Sequence, residues 1–180
     1  MTKASTTTGP AHQFASDLQE QVADLLGHAD IVDVRPSRVS AELATEGPTT
    51  VATAAFDSQI EYAFDQGRFR NRFTYEFRFE NQTGEAVATM DFVLIVEWSV
   101  DPDFIPAEQA AGHVAATTGY FAAFPYLREL AQSMTARLGL DPFVLGILKR
   151  GDLKPGSVSM VVRPASAAGD DDDVGDDLDT

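Results

Sequence analysis

Apolar residues alternate strictly with polar ones over several long stretches of this chain, and then change to a spacing of three and four. The alternation is cleanest at Phe69, Phe73, Tyr75, Phe77 and Phe79, set between Arg70, Arg72, Thr74, Glu76, Arg78 and Glu80. A period of two is the signature of a strand with one buried face. Asn81-Gln82-Thr83-Gly84 supplies turn residues, and Ala88, Met90, Phe92, Leu94, Val96, Trp98 and Val100 then repeat the pattern opposite Thr89, Asp91, Glu97 and Ser99. Upstream, Phe56, Ile60, Tyr62 and Phe64 alternate with Asp57, Gln59 and Glu61 and end at the hairpin sequence Asp65-Gln66-Gly67. Ile31 to Leu43 reads as an earlier strand: Val32 and Val34 share one parity and Val39, Ala41 and Leu43 the other. The switch across Arg35-Pro36-Ser37 predicts a bulge, and a proline without an N–H predicts an edge position. Alternating strands with short connections predict an antiparallel meander.

Helical spacing appears on both sides of this block. From about Ala11 to Gly27, Phe14, Leu18, Val22, Leu25 and Leu26 fall on one face. After Asp101-Pro102-Asp103 the spacing predicts a short helix over about 107–114 and a long one carrying Phe124, Leu127, Ala131, Met134 and Leu138 on one stripe. Pro125 belongs to the first turn of the long helix or kinks it, depending on whether the helix starts at Thr118 or near Ala122. Gly139 and Pro142 stop it. Phe143, Val144, Leu145, Ile147 and Leu148 then read as a second short helix, apolar on nearly all sides, and Val158 to Val162 as a short strand. Strands first and helices after is the α+β pattern. The expected organisation is a disordered stretch over 1–10, an N-terminal helix over 11–28, one main domain over 29–151 and an extension over 152–180 that ends in a disordered tail.

Composition narrows the functions this pattern can serve. The chain has 180 residues, 44% of them hydrophobic, which fits one domain with a core of its own. No apolar run approaches the roughly 20 residues that cross a bilayer, and Met1 to Gln13 has no hydrophobic signal core, so the expected location is the cytoplasm, without membrane insertion. There is no cysteine, and the three histidines, His12, His28 and His113, are widely spaced, so no metal site is expected. A net charge of −15 argues against nucleic acid, which needs a basic face. Part of that charge is local, in Asp170, Asp171, Asp172, Asp173, Asp176, Asp177 and Asp179, the composition of a solvated tail. No serine sits in a nucleophile-elbow context, and Gly139 and Gly146 are too isolated to cradle a phosphate, so neither an enzyme nor a cofactor is expected. Glu76 and Glu80 alternate with Arg72 and Arg78, which suits ion pairing on a wet face better than acid–base chemistry. What the chain has in excess is apolar surface: 12 Phe, and two patterned strands whose shared face is broader than one long and one short helix cover.

The segment Phe124-Pro125-Tyr126-Leu127-Arg128-Glu129, with Leu140-Asp141-Pro142 and the apolar stretch after it, resembles the FPY-x-RE signature and L-x-P break of the SecB family of protein-export chaperones. The resemblance runs from about Ile31 to Arg150. It implies an α+β, SecB-like fold: a four-stranded antiparallel sheet packed with a long and a short C-terminal helix, here with an extra N-terminal helix. It also implies an ATP-independent holdase that binds unfolded preproteins or other client polypeptides in hydrophobic grooves and hands them to the Sec translocase motor, assembled as a homotetramer, a dimer of dimers. The family's client-binding positions correspond to Phe56 in the crossover, Ile60, Tyr62 and Phe64 on the second strand, and Leu145 and Leu148 on the second helix, to which Phe143 is added for its apolarity. Each also fits a plain core residue. Phe124, Tyr126, Arg128, Glu129 and Met134 are expected at the oligomer interface.

Two departures bear on the partner. The best-known export members lack the N-terminal helix, whereas atypical members associated with toxin–antitoxin systems have a comparable segment. Motor docking in the family uses an acidic outer sheet face, yet the third strand here carries Arg70, Arg72 and Arg78 beside Glu76 and Glu80. The alternative expectation is therefore a dedicated chaperone of one partner, such as an antitoxin. A third, a small-ligand pocket between sheet and long helix, is opposed by the shortage of polar residues in core positions.

Overall fold

Each alternating stretch forms a long strand: β1 (Ala29–Leu43), β2 (Thr53–Asp65), β3 (Arg68–Glu80) and β4 (Ala86–Val100). The computed structural model describes residues 10–44, 50–65, 67–146 and 159–164. The disorder expected over 1–10 and in the acidic tail, and the position of Leu148, lie outside that range, apart from Pro10, which opens the first helix.

β2, β3 and β4 form the expected antiparallel meander, but β1 pairs with β4 and not with β2, so the four long strands close a Greek key in the order β1-β4-β3-β2. Alternation sets which face a strand buries, but not which neighbour it takes, and the place of β1 beside β4 comes from the tertiary structure. β1 is an edge strand, with register shifts between Ile31 and Asp33 and between Pro36 and Arg38. The second of these is the bulge expected at Pro36. The short C-terminal strand is real, over β5 (Ser159–Pro164), and lies on the free side of β2 in parallel orientation. The register seats Phe73 between Ile60 and Leu94, so the inward aromatics of β3 are flanked by apolar residues on both neighbours.

Over this face lie α2 (Glu108–Val114), a π-helical turn (Ala115–Gly119) and α3 (Tyr120–Arg137), running into one another without a break. Pro125 lies inside α3, where it has no N–H to offer the carbonyl of Phe121. The side chains of α3 that face the sheet are Tyr120, Ala123, Leu127, Ala131 and Thr135. Phe124, Met134 and Leu138, expected on the buried stripe, are only half-buried, so the helix is rotated from its hydrophobic pattern. The reason is close approach. A Cβ on Gly119 would stand 2.6 Å from Asn71 Oδ1 and 3.3 Å from the Phe73 ring. Asn71 is itself fully buried, and its Oδ1 accepts the Trp98 indole N–H at 2.8 Å. Gly119, Ala123 and Ala131 allow the close approach, Tyr120 and Leu127 pack between them, and Phe124, Met134 and Leu138 lie toward the flanks.

α3 ends at Gly139, where φ is +74° and the Leu140 N–H reaches back to the Thr135 carbonyl at 3.0 Å, a Schellman cap. The short helix expected over 143–148 does not form in its described part: residues 141–146 have no regular secondary structure. The Phe143 N–H is instead bound to Thr135 Oγ1 at 2.9 Å, and its ring stands edge-on to Phe77 and Phe79, which holds the segment against the sheet. The N-terminal helix, α1 (Pro10–Gly27), packs on α2 and touches β1. Leu25 is buried there, Leu18 and Val22 half-buried, and Leu26 exposed. No helix among the described residues is long and apolar enough to cross a membrane.

The opposite face of the sheet is charged at its rim, yet buries Val93 and Ile95 at its centre, next to Glu97. Arg38 is the register partner of Val93, and Arg35 and Arg72 are those of Ile95, so aliphatic arginine stems lie beside them. The Glu97 side chain is 8% exposed and receives Arg68 at 2.7 Å, Arg35 at 3.1 Å and Arg70 at 3.7 Å. Hydrogen bonds from Arg68 and then Arg35 hold its pKa below the ordinary carboxylate range.

Two predictions follow from these contacts. Gly119→Ala should destabilise the fold by about 2 kcal/mol, the scale of overpacking a core, in urea denaturation; an unchanged midpoint would mean that the helix does not sit this close. Because the folded pKa of Glu97 is depressed, its contribution is present above the unfolded value of about 4.3 and is lost as pH falls through the folded one. Thermal stability followed from pH 5 to 3 should therefore decline less steeply in Glu97→Gln than in the parent, and identical slopes would remove Glu97 from the acid limb.

Candidate functional site

The helix layer is narrower than the sheet, and what it leaves half-covered is a line of aromatic rings along β2. At one end Phe56 stacks on Phe77, with centroids 5.2 Å apart, and Phe143 stands edge-on to Phe77 at 6.3 Å and to Phe79 at 5.4 Å. At the other end Phe64 lies flat on Phe69, 4.3 Å away and 5° from parallel, with 38% of its surface exposed. Phe56 and Phe64 share a strand face eight residues apart, so the strip is about 26 Å long at roughly 3.3 Å per residue. Such pairs contribute about 0.5–1.5 kcal/mol each beyond area burial, which makes the strip a firm platform.

Between its ends the strip is closed in the isolated chain. Ile60 is fully buried, and Tyr62 is 8% exposed beneath α2, where its hydroxyl donates to the Glu108 carbonyl at 3.4 Å. Burial, with the Glu108 charge behind it, raises the Tyr62 pKa. Leu145 is buried, and Phe56 and Phe143 are half-buried. Of the residues that the sequence points to, then, Phe56, Phe143 and Phe64 present surface, while Ile60, Tyr62 and Leu145 pack as core. Phe56 stands inside β2 and not in a crossover segment.

The positions expected at an oligomer interface do not form one patch. At about 100° per residue, Phe124 and Arg128 occupy one flank of α3, Tyr126 and Met134 the other, and Glu129 the outermost line. Tyr126 is 44% exposed, and Phe121, which the sequence did not single out, is exposed to a similar degree. The space between sheet and α3 is filled by Tyr120, Ala123, Leu127 and Ala131, so the small-ligand reading finds no room there. Desolvation in that layer pushes the Tyr120 pKa up to about 12. An open hollow of about 640 Å³ lies elsewhere, lined by Asp17, Glu20, Gln21, Ala23 and Asp24, all on α1. Among the described residues no group of three or more histidine and carboxylate side chains is placed to hold a metal ion.

Sequence reasoning missed Thr135, the residue that fixes Phe143 in the strip. Its hydroxyl donates to the Ala131 carbonyl at 2.9 Å and accepts the Phe143 N–H. A threonine in a helix gives no sign of a partner eight residues on, and only the return of the chain supplies one. Phe77 and Phe79, legible as inward-facing strand residues, prove to be the floor on which Phe56 and Phe143 rest.

A Greek-key sheet of four long strands, one helix layer and a half-covered aromatic strip define the SecB-like class of α+β protein. The chain belongs to the SecB-like chaperone family. The SecB-like chaperone Rv1957 of Mycobacterium tuberculosis (strain ATCC 25618 / H37Rv) is 30% identical to it, in a match covering 74% of this chain and 85% of the relative. MT2006 of strain CDC 1551 / Oshkosh, also a SecB-like chaperone, matches to the same extent. Among solved structures, Rv1957 in complex with a ChAD peptide from the Rv1956 HigA1 antitoxin superposes with a TM-score of 0.66 at 31% identity, covering 73% of this chain and 99% of that one. No family model matches the chain.

Thr135→Val keeps the shape of the side chain but leaves the half-buried Phe143 N–H without its acceptor, a loss of about 0.5–1.5 kcal/mol. Hydrogen exchange at the Phe143 amide should accelerate and the urea midpoint should fall, while Thr135→Ser retains both. Equal exchange in all three chains would show that Thr135 is not the latch.

Proposed function

We propose that this SecB-like chaperone is an ATP-independent holdase dedicated to one polypeptide partner, such as an antitoxin, which it holds as an extended segment along the strip from Phe56 and Phe143 to Phe64. The observation that carries the reading is the pair of aromatic ends on one strand face, the half-buried Phe56 and the exposed Phe64, about 26 Å apart, a span suited to an extended segment of roughly eight residues. Apolar contact of this kind needs no nucleotide. Two further points favour a dedicated partner: the relative of known structure was solved with an antitoxin peptide bound, and α1 is the kind of N-terminal segment found in the atypical branch.

The second reading is general holding of unfolded preproteins for Sec export. It is disfavoured by the outer sheet face, where Arg35, Arg68 and Arg70 surround Glu97 in place of the acidic surface used for motor docking. Assembly into a homotetramer fits either reading. The apolar side chains left exposed on β1, Ile31, Val32, Val39 and Leu43, and Phe121 and Tyr126 on α3, are the surface that such an assembly would use.

Phe64→Glu tests the site. Phe64 is exposed enough for the fold to tolerate the change, and the charge should weaken capture of the partner polypeptide at least tenfold, equivalent to about 1.4 kcal/mol. Titration of an antitoxin peptide and of a generic unfolded protein, with light scattering for mass, separates the readings. Tight binding of the antitoxin alone supports the dedicated chaperone, equal binding of both supports the export-type holdase, and a monomer that binds neither ends both.

A further inference from the structure

The free edge of β2 is occupied by the chain's own C-terminus. Ser159–Pro164 runs parallel to it, from Ser159 opposite Asp57 to Pro164 opposite Tyr62, as the one parallel pairing among the described strands. Parallel pairing is slightly weaker per residue than antiparallel, and a six-residue strand with a single neighbour in the sheet is the element whose detachment costs least. β2 is much longer than this partner. Its positions Thr53–Phe56 and Ala63–Asp65 extend past the two ends of β5. Phe56 stands one residue before the paired stretch and Phe64 two residues after it, so the two aromatic ends of the strip flank it.

On the chaperone reading given above, we propose that the edge of β2 over Asp57–Tyr62 is a strand-addition site for the client, and that β5 is its resident occupant, displaced by strand exchange. Backbone hydrogen bonds to a sheet edge accept any extended sequence, and the edge that offers them runs along the row holding Ile60 and Tyr62. The ends of β2 that β5 does not pair among the described residues are the points of entry. A client pairing first beside Phe64 or Phe56 gains ladder bonds there, and then advances inward as β5 leaves. Pro164, which has no N–H, limits how far β5 can extend toward Phe64. The sequence of the resident strand describes the client: an extended run with an apolar centre like Met160-Val161-Val162, followed by a basic residue like Arg163, which registers with Glu61.

The test locks the resident strand in the full-length chain. Gln59 and Val161 are register partners, and Gln59 is exposed on the polar face of β2. Neighbouring strands about 4.8 Å apart meet the Cα spacing of a disulfide. In a chain without cysteine, Gln59→Cys with Val161→Cys can form only that bridge within one molecule. Binding of the antitoxin peptide should weaken at least tenfold on oxidation and recover with reductant, and equal binding in both states would overturn the proposal. Val161→Pro is the opposite perturbation. It should raise hydrogen exchange over 57–62 at least tenfold, and a synthetic peptide of residues 157–164 should restore protection, whereas the same peptide carrying Val161→Pro should not. If the antitoxin peptide binds neither form while the 157–164 peptide restores protection, the holdase reading falls and the strand-addition site stands; failure of the 157–164 peptide to restore protection overturns the site itself.

Discussion

The close seating of one helix on the aromatic face of the sheet is the constraint from which the rest of the architecture follows. Gly119 leaves space for Asn71, Asn71 accepts the indole of Trp98, and Ala123 and Ala131 continue the line of small contacts along the helix. A helix seated this tightly covers a narrow band of sheet. Tyr120 and Leu127 pack on the sheet, while Phe121, Phe124, Tyr126 and Met134 are turned to the flanks, and the rings of β2 are left to the chain that follows. Phe143, after Pro142, fills one end of that gap with Thr135 holding its N–H, and β5 borders the middle. The exposed apolar surface of this protein is thus the complement of a tight contact elsewhere.

The two faces of the sheet do different work. The helix-covered face is an uninterrupted aromatic and aliphatic layer in which Asn71 is a rare polar member. The other face is held by charge, yet its centre is not wet: Val93 and Ile95 lie beside arginine stems, and Glu97 is nearly enclosed by three guanidinium groups. Ion pairs on an open surface contribute little. One carboxylate shared by Arg35, Arg68 and Arg70 ties β1, β4 and β3 together, which an isolated pair does not. That arrangement also gives the outer face a character unlike the acidic docking surface of export chaperones.

Much of the fold can be read directly from residue spacing. The inward set of β3, the strand limits near Asp65 and Asn81, the bulge at Pro36, the glycine that caps α3 and a short strand near Val161 all follow from local chemistry, because each depends on a parity or a turn residue within a few positions. The site was legible only in part. Phe56, Phe64 and Phe143 do present surface, but Ile60, Tyr62 and Leu145 carry the same apolar signal and pack as core. A hydrophobic residue looks alike in sequence whether a helix covers it or not.

By itself the sequence determined the long strands and helices, the face each strand buries and the SecB-like family, since periodicity, turn chemistry and the FPY-x-RE segment are local properties of the chain. The tertiary structure alone decided that β1 lies beside β4, how α3 is rotated on the sheet, that residues 141–146 are held by Thr135 outside any helix, and that the edge of β2 is held by β5. The physical reason is that pairing, rotation and coverage depend on which surfaces meet across many residues, and a strand or helix does not encode its neighbour.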